Sequence, residues 1–184
     1  MQIDRIYYPV ETLGPGKRIV IWTIGCDREC YNCSNPELWN TKADKDISID
    51  NIMSMIECID KPDGITITGG EPFLQVEDLY DLINRIEDYG IDDILIYSGY
   101  TLSELKEMND IKVNYVLESI AVLIDGAYID SLNDNRGIRG SSNQKINILK
   151  KKYRGRYIDC DKGERKSQIV ISDNLVMSFG VPRK

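Results

Sequence analysis

Two kinds of apolar pattern alternate along the chain. Short runs rich in β-branched residues, RIVIWTI (18–24), ITIT (65–68), ILIY (94–97) and AVLID (121–125), have strand length and no polar face. Between them, apolar residues recur every three or four positions. Ile49, Ile52, Met53, Ile56 and Ile59 form one such stripe behind Ser48, a good N-cap. Val76, Leu79, Ile83 and Ile86 form a second stripe, with Gly90 as its stop, and a short helix is predicted near LSELKEM (102–108). Strands alternating with helices predict an α/β fold built on a mostly parallel sheet with right-handed crossovers. Strands that are apolar throughout predict burial on both faces. The first seventeen residues, ending in GPGK, read only as an N-terminal segment.

The chain past about residue 150 opens with basic KKYRGR and ends in QIVISDNLVMSFG, which reads as a β-hairpin turning at Ser172–Asn174. Residues 151–184 fall short of the ~40 residues that a free-standing core needs, so they read as an extension of one domain spanning 1–184. Four unusual segments, GCDREC, TGGEP, YSGY and DGAY, directly follow the four predicted strands. In parallel α/β architectures the carboxyl ends of the strands share the edge where ligands bind. The four segments are therefore expected to converge on one site.

Charge and composition narrow the chemistry. A net charge of −7 argues against a nucleic-acid surface, which needs phosphate-neutralising cations. No apolar run reaches the ~18 residues of a membrane span, and the start, MQIDRIYYPVET, lacks a signal-peptide layout. A cytoplasmic location is expected, where thiols stay reduced unless they bind metal or do redox work. The chain has no histidine, which removes every imidazole ligand and every histidine base.

Cys26, Cys30 and Cys33 sit in one loop, GCDRECYNCSNPELW (25–39). Three readings stay open on spacing alone. Cys30 and Cys33 could be a thioredoxin-like pair, which leaves Cys26 unused. Structural zinc wants four protein ligands, the fourth then being Cys58, Cys160 or a carboxylate. A four-iron cluster accepts three thiolates and leaves one iron open for a ligand. Cys58 and Cys160 are read as structural or incidental. Gly69-Gly70-Glu71-Pro72 after the second strand could be a plain tight turn. Its carboxylate repels phosphate, and with strand-end carbonyls it favours a cation such as an ammonium group.

CxxxCxxC after the first strand and GGEP after the second resemble the radical S-adenosylmethionine superfamily. The chain is more closely similar to the activating proteins of anaerobic ribonucleoside-triphosphate reductase, a branch of the glycyl-radical enzyme activases. The matching text is YYPVETLGPGKR (7–18), the cysteine loop, TGGEP, YSGYTLSEL (97–105), LIDGAYIDSLND (123–134) and RGSSNQ (139–144). Asn32 stands where many relatives carry an aromatic residue, and Ala127 where some carry lysine. The resemblance implies a partial, open β/α barrel and a 4Fe–4S cluster held by Cys26, Cys30 and Cys33. It also implies S-adenosylmethionine on the open iron, with its amino group at Gly69, Gly70, Glu71 and Pro72. Asn32 and Ser34 would meet the nucleoside, and Ser98 would add a contact. No side chain is expected to be catalytic in its own right, because the cofactor carries the chemistry. The implied partners are a large glycyl-radical enzyme and a low-potential electron donor such as flavodoxin or ferredoxin. Two other functions fit less of the sequence: a radical enzyme acting on a small molecule or peptide, like a carboxydeazaguanine synthase, and a non-catalytic iron–sulfur protein. RGSSNQ is read, for want of a physical account of its role, as a polar surface loop.

Overall fold

The structure is a computed structural model that describes residues 1–172 and 175–183. One sheet holds six strands in chain order: β1 (Ile3–Val10), β2 (Arg18–Thr23), β3 (Gly64–Gly69), β4 (Ile94–Ser98), β5 (Val122–Asp125) and β6 (Lys145–Ile148). β2 to β5 run parallel, and β1 and β6 add antiparallel at the two edges. The four predicted strands are thus the parallel centre of a mostly parallel sheet.

Both edge strands correct the sequence reading. β1 alternates charged, tyrosine and isoleucine residues and is largely half-buried, so no continuous apolar run announces it. β6 is only the four residues KINI. Each of these strands is fixed by its neighbour in the sheet more than by its own composition.

The helices α1 (Ile49–Glu57), α2 (Val76–Asp88), α3 (Leu102–Glu107) and α4 (Ile111–Ser119) return the chain between parallel strands. Alternate strand residues, among them Ile19, Ile21, Ile65, Ile67, Ile94 and Ile96, pack with the helices in one core. Ser48 caps α1 by accepting from Asn51 N–H, and Thr101 with Glu104 forms a capping box on α3. α4 was not expected. Its signal was present but short: Asp110 accepts from the N–H groups of Lys112 and Val113, and Val113, Val116 and Leu117 are the buried face.

The opposite face of the sheet is covered by the C-terminal extension, which contains α5 (Arg154–Tyr157), β7 (Gln168–Ser172) and β8 (Leu175–Phe179). Tyr157 packs with Leu95, Val122 and Ile124. Phe179 stacks on Tyr7 with ring centroids 4.4 Å apart and lies 5.6 Å from Trp22. The predicted hairpin is present, although Asp173 and Asn174 of its predicted turn lie outside the described residues. No helix among the described residues is long and apolar enough to cross a membrane.

A buried polar lock ties this extension to the amino ends of the parallel strands. Arg18, the first residue of β2, is fully buried; its Nε donates to Thr66 Oγ1 at 2.7 Å. Its Nη2 donates to the carbonyls of Ile65 and Asp93 at 2.6 and 2.8 Å. Asp93 also receives the Tyr157 hydroxyl at 2.6 Å and pairs with Arg156 at 3.0 Å. The GPG-x-R segment therefore sits at the edge opposite the cysteine loop and acts as a structural fastener. Removing the guanidinium strips Thr66 and the buried carbonyls of Ile65 and Asp93 of a charged donor, at a cost of about 1.5–3 kcal/mol. Arg18→Ala is expected to lose that much stability in urea unfolding. Arg18→Lys should recover only part of it, since an ammonium cannot match the guanidinium's fan of donors. A loss below ~1 kcal/mol, the scale of an exposed pair, would contradict the lock.

Candidate functional site

Because β2 to β5 are parallel, the cysteine loop, GGEP, YSGY and DGAY all leave the same sheet edge. The cysteine loop is folded back on itself: Gly25 N–H donates to Leu38 O at 2.8 Å and Cys26 N–H to Trp39 O at 2.9 Å. Leu38 anchors the return in the core. Glu29 and Asn32 take left-handed backbone conformations between the thiols, which asparagine tolerates better than most residues. That gives Asn32 a backbone reason to stand before the third cysteine.

The GGEP turn is locked against the base of this loop. Gly70 N–H donates to Thr23 O at 2.8 Å, and Glu71 N–H donates to Gly25 O at 2.7 Å. A Cβ on Gly70 would lie 2.3 Å from Gly25 O, and one on Gly69 would lie 2.5 Å from the Thr23 backbone. Both glycines are required by the close approach of two backbones. Pro72 is buried and opens a short 3₁₀ turn. Gln75, at the end of that turn, donates to Ile24 O at 2.9 Å and so braces the last residue before the cysteine loop.

Glu71 is 1% exposed. Its Oε1 accepts from Phe73 N–H at 3.1 Å and from the Ser98 hydroxyl at 2.9 Å, and its Oε2 accepts from Gly99 N–H at 2.6 Å. Ser98 is thus turned onto Glu71, and it receives Tyr100 N–H at 3.0 Å. Burial pushes the Glu71 carboxyl up to about 7, although the three donors oppose the shift. The cysteine loop reaches the same place from the other side. Asp27 accepts the Tyr100 hydroxyl at 2.6 Å, and the Arg28 guanidinium lies 3.9 Å over the Tyr100 ring. Arg28 also pairs with Glu104 at 3.2 Å. Sequence reasoning missed this clamp, whose signal is an Asp-Arg pair between the first two cysteines and an aromatic residue in YSGY.

Asn35 N–H donates to the Cys33 sulfur at 3.4 Å, and backbone groups of Arg28 and Glu29 near Cys26 and of Tyr128 near Cys30 favour the thiolate there. Burial pushes the Cys26 and Cys30 thiols up, and metal coordination would remove those protons outright. Among the described residues no three Cys, Asp or Glu groups converge where a single ion could sit. Zinc needs its donors about 2.3 Å from one centre, whereas a four-iron cluster gives each thiolate its own iron. Three free thiols on one loop, each able to meet its own iron, fit the cluster.

Apart from Cys30, the predicted residues fall into two groups. Cys26, Gly69, Gly70, Glu71, Pro72 and Ser98 belong to the locked junction of loops. Asn32, Cys33 and Ser34 line a cavity of about 700 Å³ that continues past Thr68 and Tyr97 to the C-terminal extension. Cys58 ends α1 and is exposed, and Cys160, in the extension, packs against the core cluster around Leu95 and Tyr157.

RGSSNQ proves to be a fastener with definable contacts. Gln144 accepts from the N–H groups of Gly140 and Ser141 at 2.7 and 3.1 Å and donates to Gly126 O at 2.7 Å. Asn143 donates to Ala127 O at 2.8 Å. The loop thereby holds the DGAY segment whose Tyr128 backbone lies near the Cys30 sulfur. Arg165 of the extension, 1% exposed, donates to the Arg139 and Gly140 carbonyls at 2.7 and 3.1 Å.

One titration follows from the Glu71 geometry. Its carboxyl is held above its ordinary value of 4.5, at about 7. The stabilising proton is fully bound below the lower value and is lost as pH rises through the upper one. The metal-free protein should lose at least ~1 kcal/mol across that window through Glu71. Urea midpoints measured from pH 5 to 8 should show a shallower slope in Glu71→Gln; identical slopes would refute the assignment.

Comparison with known proteins identifies the family. A family model described as a 4Fe-4S single cluster domain matches residues 12–147. The anaerobic ribonucleoside-triphosphate reductase-activating protein of Escherichia coli (strain K12) is 35% identical over 156 residues, covering 78% of this chain and 97% of that protein. The protein of the same name from Enterobacteria phage T4 is 28% identical over 151 residues, covering 79% and 93%. A pyruvate formate-lyase-activating enzyme from Clostridium pasteurianum is 31% identical over 101 residues, covering 52% and 42%. The crystal structure of QueE from Escherichia coli overlaps 54% of this chain and 52% of its own at 20% identity and a TM-score of 0.47, too slight a likeness to bear on the fold. The chain belongs to the 4Fe-4S single cluster domain family and, within it, to the anaerobic ribonucleoside-triphosphate reductase-activating proteins.

Proposed function

We propose that the protein generates a glycyl radical on a large partner enzyme, an anaerobic ribonucleoside-triphosphate reductase. Its family makes it a radical S-adenosylmethionine oxidoreductase with a 4Fe–4S cluster and S-adenosylmethionine as cofactors. The observation that carries the reading is the junction of the cysteine loop with the GGEP turn, through Glu71 N–H on Gly25 O and Gly70 N–H on Thr23 O. It fixes a three-thiol loop beside a buried carboxylate with one acceptor site left on Oε2. Held by Cys26, Cys30 and Cys33, a reduced cluster would supply the electron for reductive cleavage of S-adenosylmethionine, the chemistry that would remove a hydrogen atom from the partner's glycine.

In this reading the chain's own residues bind and orient. Cys26, Cys30 and Cys33 hold the cluster, and backbone groups near their sulfurs tune its potential. Gly69, Gly70, Glu71 and Pro72 form the cradle for the cofactor's ammonium group, and Ser98 holds Glu71 in place. Asn32 and Ser34 face the nucleoside from the cavity wall. The sheet is read as a truncated β/α barrel whose core ends near residue 150, with the extension part of the same domain. A low-potential donor such as flavodoxin or ferredoxin would deliver the electron, in an anaerobic cytoplasm.

Anaerobically reconstituted protein with dithionite should form methionine and 5′-deoxyadenosine in equal amounts. With the reductase of the same organism it should also yield a glycyl-radical resonance, and alanine at any of the three loop cysteines should abolish both. Cleavage without a radical in the reductase would contradict the proposed partner. A second expectation concerns pH. An ammonium beside Glu71 favours its carboxylate, so S-adenosylmethionine should bind more tightly as pH rises through about 7. Titration calorimetry should show proton release near that pH, and Glu71→Gln should remove the release and weaken binding at pH 8 at least ~10-fold. Binding independent of pH between 6 and 8 would count against the cradle.

A further inference from the structure

The contacts made by RGSSNQ converge on one residue. Gln144 donates to Gly126 O at 2.7 Å and Asn143 to Ala127 O at 2.8 Å, just before Tyr128. Just after it, Ile129 N–H donates to Ser141 Oγ at 3.1 Å, and Ser141 is fully buried. Gly140 lies against the ring itself: a Cβ there would come 3.0 Å from Tyr128 Cδ2. The loop therefore grips the backbone on both sides of Tyr128 and leaves room for its ring. Arg165 of the extension braces the loop in turn, through the Gly140 carbonyl. A side chain locked this thoroughly by its surroundings is the kind that holds a ligand in a fixed geometry.

The hydroxyl end of Tyr128 is fixed as well. It donates to Asp130 Oδ1 at 2.9 Å and accepts from Asn133 Nδ2 at 3.2 Å. Engaged both as donor and as acceptor, the hydroxyl leaves the flat apolar ring as what Tyr128 brings to a ligand. Tyr128 lines the same cavity as Asn32, Cys33 and Ser34, and its backbone lies near the Cys30 sulfur. The cysteine loop brings no ring of its own to that cavity. Its Tyr31 is 78% exposed, and it contributes Asn32, Ser34 and Asn35 around Cys33. Two other rings in the lining are spent on packing: Trp22 lies under the Arg5 guanidinium, 4.7 Å away, and Phe179 stacks on Tyr7. A fixed ring among amide and hydroxyl side chains is the lining a nucleobase needs, with a face to stack on and polar groups for its edges.

We infer that Tyr128 is the platform for the purine of S-adenosylmethionine, and that Ser141, Asn143 and Gln144 are its positioning residues. The assignment rests on the proposed cofactor cradle and adds to it the contact that recognises the nucleoside. RGSSNQ thereby acts on the cofactor through Tyr128.

The test compares the reconstituted whole chain with Tyr128→Leu, which keeps bulk but removes the aromatic face, and with Tyr128→Phe, which keeps the ring. Calorimetric affinity for S-adenosylmethionine should fall at least ~5-fold in Tyr128→Leu, the lower end of base-stacking effects, and stay within about twofold of wild type in Tyr128→Phe. Affinity for methionine, which carries the amino and carboxylate groups but no purine, should be the same in all three proteins. Ser141→Ala, which frees the chain beside Tyr128 and leaves the ring unaltered, should weaken binding of S-adenosylmethionine but not of methionine. The reduced cluster's resonance without ligand should be unchanged throughout, showing the cysteine loop intact. Equal S-adenosylmethionine affinity in Tyr128→Leu and wild type would overturn the assignment, even if the glycyl-radical yield fell, since the ring would then face the partner's segment. So would an equal loss for methionine and S-adenosylmethionine, the mark of a general disturbance of the site. A wild type that binds neither ligand would refute the cofactor cradle itself, and the platform with it.

Discussion

Burying the Glu71 carboxylate is costly unless donors surround it, and the donors it finds come from two loops that the sheet alone would leave independent. Phe73 N–H belongs to the turn after β3, while Ser98 Oγ ends β4 and Gly99 N–H opens the loop that follows. The cysteine loop joins them through Gly25 and through the Arg28–Tyr100 contact. One carboxylate thus sets the relative position of three loops at the carboxyl edge of the sheet. The same burial that makes it a brace keeps its charge sensitive to a nearby cation. A group that must hold an architecture and answer a ligand can do both when a single acceptor site is left open.

The two edges of the parallel sheet carry opposite kinds of polar cluster. At the amino edge, Arg18 spends its donors on Thr66, on carbonyls and on Asp93, in a buried network suited to stability. At the carboxyl edge, free thiols and an incompletely used carboxylate leave a network suited to binding. The C-terminal extension touches both. Tyr157 and Arg156 join the buried network, while Arg165 and the strap near Phe179 frame the open one. What looked in sequence like an appended tail fills the sheet face that the helices leave bare.

The parallel core was legible because its strands are buried on both faces and so carry an undiluted apolar signal; RIVIWTI and ILIY needed no context. β1 and β6 were not, because edge strands meet solvent on one side and their pairing is decided by a neighbour. The convergence of four loops followed from topology alone, since parallel strands share an edge. The reason for the glycines was only partly legible. Sequence reasoning offered a tight turn or a cofactor cradle at Gly69 and Gly70, and the close approach of Gly70 to the carbonyl of Gly25 is a further reason that only the structure supplies. The GPG-x-R segment was informative as a resemblance yet says nothing about the site, because its arginine fastens the far edge. RGSSNQ shows the reverse case: its side chains bond to backbone far along the chain, contacts that no spacing rule anticipates. The clamp of Arg28 on Tyr100 escaped for the same reason.

The central claim is that the three-thiol loop holds a cluster with one iron open toward the Glu71 cradle. Electron paramagnetic resonance of the reduced, reconstituted protein, recorded before and after adding S-adenosylmethionine, tests it most directly. A shifted signal in the wild type, with little or no shift in Glu71→Ala, is the predicted result. A cluster signal that S-adenosylmethionine leaves unchanged in the wild type would contradict the account.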